Sequence, residues 1–176
     1  MSGEPLPLAS TYGREKLTLS DRVSVSTRAT LGAMRTISTL DQDDAARAVD
    51  AVKVALASEG RAAVIAVADA RGDLLMLLRL DGAPATSITI ATNKAWTAAT
   101  QGVATRAIGA RLRSEAEAFD ITYYGDRRAC GWGGGLPVMD RAGAVLGAVA
   151  VSGLPELEDE RFAAIGKAAI EGSLEA

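Results

Sequence analysis

Lys94 stands in the middle of a helical-looking segment whose other face residues are Ala, Ile and Thr. An ammonium there is an anion-binding or proton-transferring group, or else a lysine that snorkels to water or pairs structurally with Asp69 or Asp81. Arg79 and Asp81 close a strand-like run beside Gly82. They either clamp a carboxylate and orient Lys94, or pair with each other across the corner. Asp73 follows Gly72 at the nearest turn and is a second proton-moving candidate.

Tyr123, Tyr124 and Arg127 form the most distinctive polar cluster. A phenol can donate to a developing oxyanion or ligate ferric haem, and a guanidinium can take a carboxylate or propionate in a fork. The same residue types are also those of a protein contact. Beyond them, Gly131-Trp132-Gly133-Gly134-Gly135 offers successive amides that suit an anion nest, or glycines that permit close packing. The run is neither a Walker loop nor Gly-x-Gly-x-x-Gly. Cys130 is a lone thiol that reads as a small buried side chain, with Arg127, Arg128 or a helix end as the activators open to it. Ser152 sits in Val-Ser-Gly and is no nucleophile elbow.

Several chemistries are closed outright. The chain has no histidine, which removes Ser-His and Cys-His catalysis and a His-ligated haem. The acids at Asp43-Asp44 and Glu158-Asp159-Glu160 read as helix starts, and no metal site is expected.

The elements that must position these groups follow from periodicity. Ala45, Ala48, Val49, Val52 and Leu56 recur at helical spacing from Asp41, with Gly60 as the stop. Ala63–Ala68 and Leu74–Leu80 read as strands joined by Asp69-Ala70-Arg71-Gly72, in which Asp accepts turn amides and Gly takes positive φ. Ser87 is expected to cap a helix to about Gly102, carrying Asn93, Lys94 and Thr97. Thr105 is expected to cap a shorter one from Arg106 to about Ala118. Residues 119–135 look irregular. A second hairpin, Gly135 to Gly153, turns on Asp140-Arg141-Ala142-Gly143, and Pro155 opens a last helix with Phe162, Ile165, Ala169 and Ile170 on its apolar side. Hairpins imply antiparallel pairing, so the fold class is α+β and not a Rossmann fold. Residues 1–40 read as an N-terminal extension, weakly strand-like around Val23 and Val25, and residues 41–176 as the domain.

With 48% hydrophobic residues but only 4% aromatics, the core must be built from Ala, Val, Leu and Ile, leaving flat faces suited to a partner copy. A net charge of −3 without a basic stripe argues against nucleic acid. A single cysteine, no apolar leader and no run long enough for a membrane span point to a cytoplasmic protein.

Six pieces of the chain, in order, resemble the GlcG/HbpS-like family, described as haem-degrading or haem-binding and related to the C-terminal domain of PduO-type proteins. They are Ala66-Val67-Ala68-Asp69-Ala70-x-Gly72, Arg79-x-Asp81-Gly82-Ala83, Asn93-Lys94-Ala95-x-Thr97-Ala98, Gly134-Gly135-x-Pro137-Val138, Gly147 to Gly153, and Glu158-Asp159-Glu160. The resemblance covers roughly residues 44 to 172. It implies a profilin-like sheet of about five antiparallel strands flanked by helices, in a homo-oligomer whose ligand lies near a subunit interface. Family precedent implies haem or another anionic tetrapyrrole. This chain departs from the family's pattern at Asp73, often His or Asn in relatives, and at Tyr123 to Arg128, usually apolar with a Pro-Gly element. Those departures point to a smaller, more polar or anionic metabolite.

The expectation is therefore a small-molecule-binding protein with ligand contacts from Arg79, Asp81, Asn93, Thr97, Arg127, Gly133, Gly134 and Gly135. The alternative is a cofactor-independent isomerase, lyase or cyclase on a small oxo- or hydroxy-acid, with Lys94 or Asp73 moving a proton and Tyr123 or Tyr124 holding an enolate-like oxygen. A third possibility is an assembly subunit whose charged corner only staples the oligomer.

Overall fold

The structure is a computed structural model and describes residues 36–117 and 119–174. Helix α1 spans Gln42–Ser58 and is closed at its start by a reciprocal box: Asp41 accepts from the Asp43 and Asp44 amides while Asp44 accepts from the Asp41 amide. Strands β1 (Val64–Asp69) and β2 (Leu74–Arg79) form the first hairpin. Helices α2 (Ser87–Gln101) and α3 (Thr105–Leu112) follow, then a 3-10 turn at Ile121–Tyr124. The second hairpin, β3 (Gly135–Met139) and β4 (Val145–Ser152), leads into α4 (Glu156–Leu174).

The two hairpin turns are built alike. Asp69 Oδ1 accepts from the amides of Arg71 (2.8 Å) and Asp73 (2.9 Å), and Asp140 Oδ1 from those of Ala142 (2.9 Å) and Ala144 (2.8 Å). Gly72 and Gly143 hold φ of 86° and 83°, where a Cβ is disfavoured. At Gly72 the space is also taken: a Cβ would stand 2.7 Å from Trp96 on α2. The hairpins join along β1 and β4, with Ala66 opposite Ala150, in an antiparallel sheet of order β2-β1-β4-β3.

Alternation sorts the side chains between two layers. Ile65, Val67, Val149 and Val151 pack against α1 and α4 with Val52, Leu56, Phe162 and Ile170. Val64, Ala66, Ala68 and Ala150 meet Ala91 and Ala95 of α2 on the other face. Alanine on both sides of that second contact lets the α2 backbone lie close to the sheet, which brings mid-helix residues next to the end of β4.

Four expectations need correction. The sheet has four strands among the described residues, not about five, because each hairpin supplies two and the hairpins pair directly. Ser87 and Thr105 are the first residues of their helices and cap neither; Thr86 and Ala104 hold the cap positions without side-chain hydrogen bonds. In the first case a Pro84–Ser87 turn already gives the Ser87 amide an acceptor. In the second, the Thr105 hydroxyl accepts from the Gly135 amide at 3.0 Å instead. Finally, α3 stops at Leu112, where the Arg113 amide bonds back to Gly109 and the chain turns. Of the N-terminal extension, Val23 and Val25 lie outside the described residues. Leu40 is already part of the core, its amide bonded to the Leu146 carbonyl.

Candidate functional site

Lys94 is only 2% exposed and is among the largest fully buried side chains of the described residues. Its ammonium donates to Asp159 Oδ2 at 2.7 Å and to the Val151 carbonyl at 3.0 Å. A buried ammonium requires such a partner, because an uncompensated charge away from water is far too costly. Neither Asp69 nor Asp81 supplies it: the first is spent in its turn and the second is exposed.

In the sequence Asp159 reads as one acid of the Glu158-Asp159-Glu160 helix start. Its place in α4 carries a second signal: it precedes Phe162, Ala163, Gly166 and Ile170 by three, four, seven and eleven residues, so it heads the buried stripe of that helix. Its other oxygen accepts the Leu154 amide at 3.0 Å. Burial pushes its carboxyl above the ordinary range, against the pull of Lys94 and of the Leu154 and Gly153 amides.

The glycine run makes room for this pair. Gly134 has φ of 115°, and a Cβ on it would meet Asp159 Cβ and the Val151 carbonyl oxygen at 2.7 Å and Lys94 Nζ at 2.9 Å. The neighbouring amides are spent within the chain: Gly133 donates to Glu156 (3.1 Å) and Gly135 to Thr105 (3.0 Å). Thr97, fully buried, locks the preceding loop to α2 by accepting the Cys130 amide at 3.0 Å, and its hydroxyl proton goes to the Asn93 carbonyl at 2.7 Å.

The pair floors a cleft of about 490 Å³. Its walls include Ser87 and Ile90 of α2, Ser152 at the end of β4, Trp132, and Glu156 at the start of α4. Ser87 and Ser152 are 4% and 3% exposed. In sequence Ser87 reads as a cap and Ser152 as no nucleophile elbow, so neither shows itself there as a wall residue.

The other sequence-predicted residues lie apart from this floor. Arg79 is exposed and its Nε donates to the Ala83 carbonyl at 3.0 Å, with no ion pair to Asp81 among the described residues. Asp73 is exposed at the first turn. Tyr123 is 74% exposed, and Tyr123 and Tyr124 set their rings edge-on to Phe119 at 5.9 and 5.5 Å. Arg127 is exposed, while Arg128 forks onto Asp126 and stacks 4.3 Å over Trp96. Asn93 is half-buried on α2. Cys130 is half-buried, and burial pushes its thiol up, away from the thiolate that ligation or attack requires. Among the described residues no group of acids and cysteine is placed to hold a metal ion, and no helix is long and apolar enough to cross a membrane.

Residues 40–168 match the family described as haem degrading protein HbpS-like. A 15.0 kDa protein of Citrobacter freundii, described as uncharacterized and encoded in a dhaT-dhaS intergenic region, is 37% identical over 109 residues, 58% of this chain and 76% of the relative. Among solved structures, Klebsiella pneumoniae protein ORFY superimposes with a TM-score of 0.74 at 27% identity, over 80% of this chain and 97% of its own. HbpS does so at 0.69 and 30% identity, over 78% and 94%. A PduOC:heme complex shares the fold at 0.68 and 24% identity, over 74% and 94%.

Proposed function

This chain belongs to the HbpS-like family, and from that premise we propose that it is a small-molecule-binding protein whose ligand occupies the cleft floored by Lys94 and Asp159. One observation carries the reading. The Lys94 ammonium has three donors and spends two on the protein, so one buried N–H remains at the floor of a cleft of ligand size. Exposed Trp132 at the rim (60%) and Leu157 in the first turn of α4 (65%) support a mouth close to a contact with a second copy.

Haem is the ligand suggested by the names of the relatives. The cleft walls of this chain do not fit an iron-ligated haem: they hold no tyrosine, cysteine or methionine, the chain has no histidine, and Lys94 is committed to Asp159. Tyr123 and Tyr124 lie on the 121–128 loop outside the cleft lining. A smaller metabolite is therefore the better occupant.

A second reading is a proton-transfer enzyme of the isomerase, lyase or cyclase kind. It draws on the Asp159 carboxyl, which burial makes readier to hold a proton, next to an ammonium that can stabilise a neighbouring oxygen.

The test is a visible-absorption titration with hemin of wild type, Tyr123→Phe and Tyr124→Phe. The expected result is a flat, non-saturating response. A saturable Soret shift altered by either variant would instead establish a tyrosine-ligated tetrapyrrole site and displace the cleft as the ligand site.

A further inference from the structure

We propose that this cleft selects an uncharged ligand, one that presents a carbonyl or hydroxyl oxygen to Lys94, and discriminates against the carboxylates that a buried lysine would ordinarily attract. The proposal rests on the cleft being the ligand site and specifies its chemistry. The charge balance of the walls is the starting point. They contain one cation, Lys94, and two carboxylates, Asp159 and Glu156. Lys94 is compensated at 2.7 Å by Asp159, so an entering anion meets no free positive charge there and a second carboxylate nearby. Arg113 stands 3.9 Å from Glu156 and is not part of the lining. Like charges brought together in a partly desolvated site are strongly disfavoured.

Two helix starts open on the cleft, and neither reverses this balance. The start of α4 carries Glu156, Glu158 and Asp159 in its first turn, which already offset its dipole. At the start of α2 the amides of Ser87, Ile88 and Ile90 are bonded to the carbonyls of Pro84, Ala85 and Thr86.

The unspent polarity of the walls is neutral in kind. Besides the third Lys94 N–H, the described residues give no hydrogen-bond partner to the hydroxyls of Ser87 or Ser152, both nearly buried in the lining. A hydroxyl both donates and accepts, and an ammonium only donates. A ligand oxygen taking the Lys94 proton, flanked by groups that exchange hydrogen bonds with two serines, satisfies all three. Ile90, Pro84 and the Trp132 ring supply apolar walls for a short carbon skeleton.

Lactamide and lactate test the point, since they share shape and differ by one charge. Titration of the isotopically labelled full chain, read at the amides of Ser152, Gly153 and Leu154, should show lactamide binding more tightly than lactate by about tenfold. In Asp159→Asn, which leaves Lys94 uncompensated, the order should reverse. Shifts at those amides with lactate equal or tighter in the wild type would overturn charge selection while leaving the cleft as the site. Shifts at those amides with neither compound would overturn the cleft reading as well. The wild-type comparison decides the matter even if Asp159→Asn does not fold.

Discussion

Two polar regions of this molecule were prominent for opposite reasons. The Tyr123–Arg128 loop concentrates phenols and guanidiniums within six residues, yet its charges and rings are satisfied at the surface. Arg128 pairs with Asp126 and lies over Trp96, and Tyr123 is 74% exposed. The α2–α4 contact looks bland in sequence, yet it encloses an ion pair whose side chains are 2% and 3% exposed. Polar density along the chain says where water is welcome. A charge isolated in an apolar stripe says where the fold has had to provide for it, and that is the better guide to a site.

The sharpest way to break this comparison is to remove one member of the pair. Lys94→Ala or Asp159→Ala should lose about 3–5 kcal/mol of stability in urea unfolding, because each leaves an uncompensated buried charge. Replacing both by apolar residues, Lys94→Met with Asp159→Leu, should recover most of that loss while abolishing ligand shifts at Ser152 and Gly153. A cost near zero for either single alanine would mean that the pair is effectively solvated.

Gly134→Ala comes next. It adds a Cβ at positive φ and within 2.7 Å of a backbone oxygen, so a loss of about 3 kcal/mol is expected. Gly60→Ala, at φ of 61° with nothing within 4 Å, should lose only about 1 kcal/mol. Thermal melts of the two variants side by side check whether crowding around the pair, and not backbone conformation alone, fixes Gly134.

In the loop the effects should be small. Arg128→Ala removes a fork and a cation–π stack at the surface and should cost about 1 kcal/mol. Tyr123→Phe should fall within about 0.5 kcal/mol of wild type. A large loss at Tyr123 would transfer the structural weight to the loop.

The two regions should also respond to pH with opposite sign. The Arg128 hydrogen bonds hold the Asp126 carboxyl below its ordinary range, so its contribution is present above that range and fades as pH falls through the lowered value. Asp159 is raised, so the folded state binds its proton more readily, and its ionisation costs stability as pH rises from the ordinary carboxylate range through the raised value. Melts of wild type, Asp126→Asn and Asp159→Asn from acidic to neutral pH should show the first variant flattening a rise and the second flattening a fall.

What could be read in the chain divides along the same line. The paired Asp-x-x-Gly turns were legible because four residues contain the whole cause: an acceptor side chain and a positive φ. Element order and the antiparallel character followed from them. Lys94 was legible as an anomaly, but its partner lies 65 residues away, on a helix that follows both hairpins along the chain. Only the stripe position of Asp159 hints at burial, and the acids around it, suited to the helix dipole, conceal that hint. Ser87 and Thr105 have the right residue types for caps. The backbone before each helix decided otherwise and released one hydroxyl to the cleft and the other to Gly135. Wall residues such as Ser152 and Glu156 have no local signature, because their role comes from the crossing of α2, β4 and α4.

The most direct test of the cleft against the loop is crystallographic: soaking crystals with a set of small neutral carbonyl compounds, lactamide among them, and locating the bound molecules. The account predicts density on the cleft floor with an oxygen within hydrogen-bonding reach of Lys94 Nζ and of Ser87 or Ser152. Density confined to the Tyr123–Arg128 loop, with the cleft empty, would contradict it.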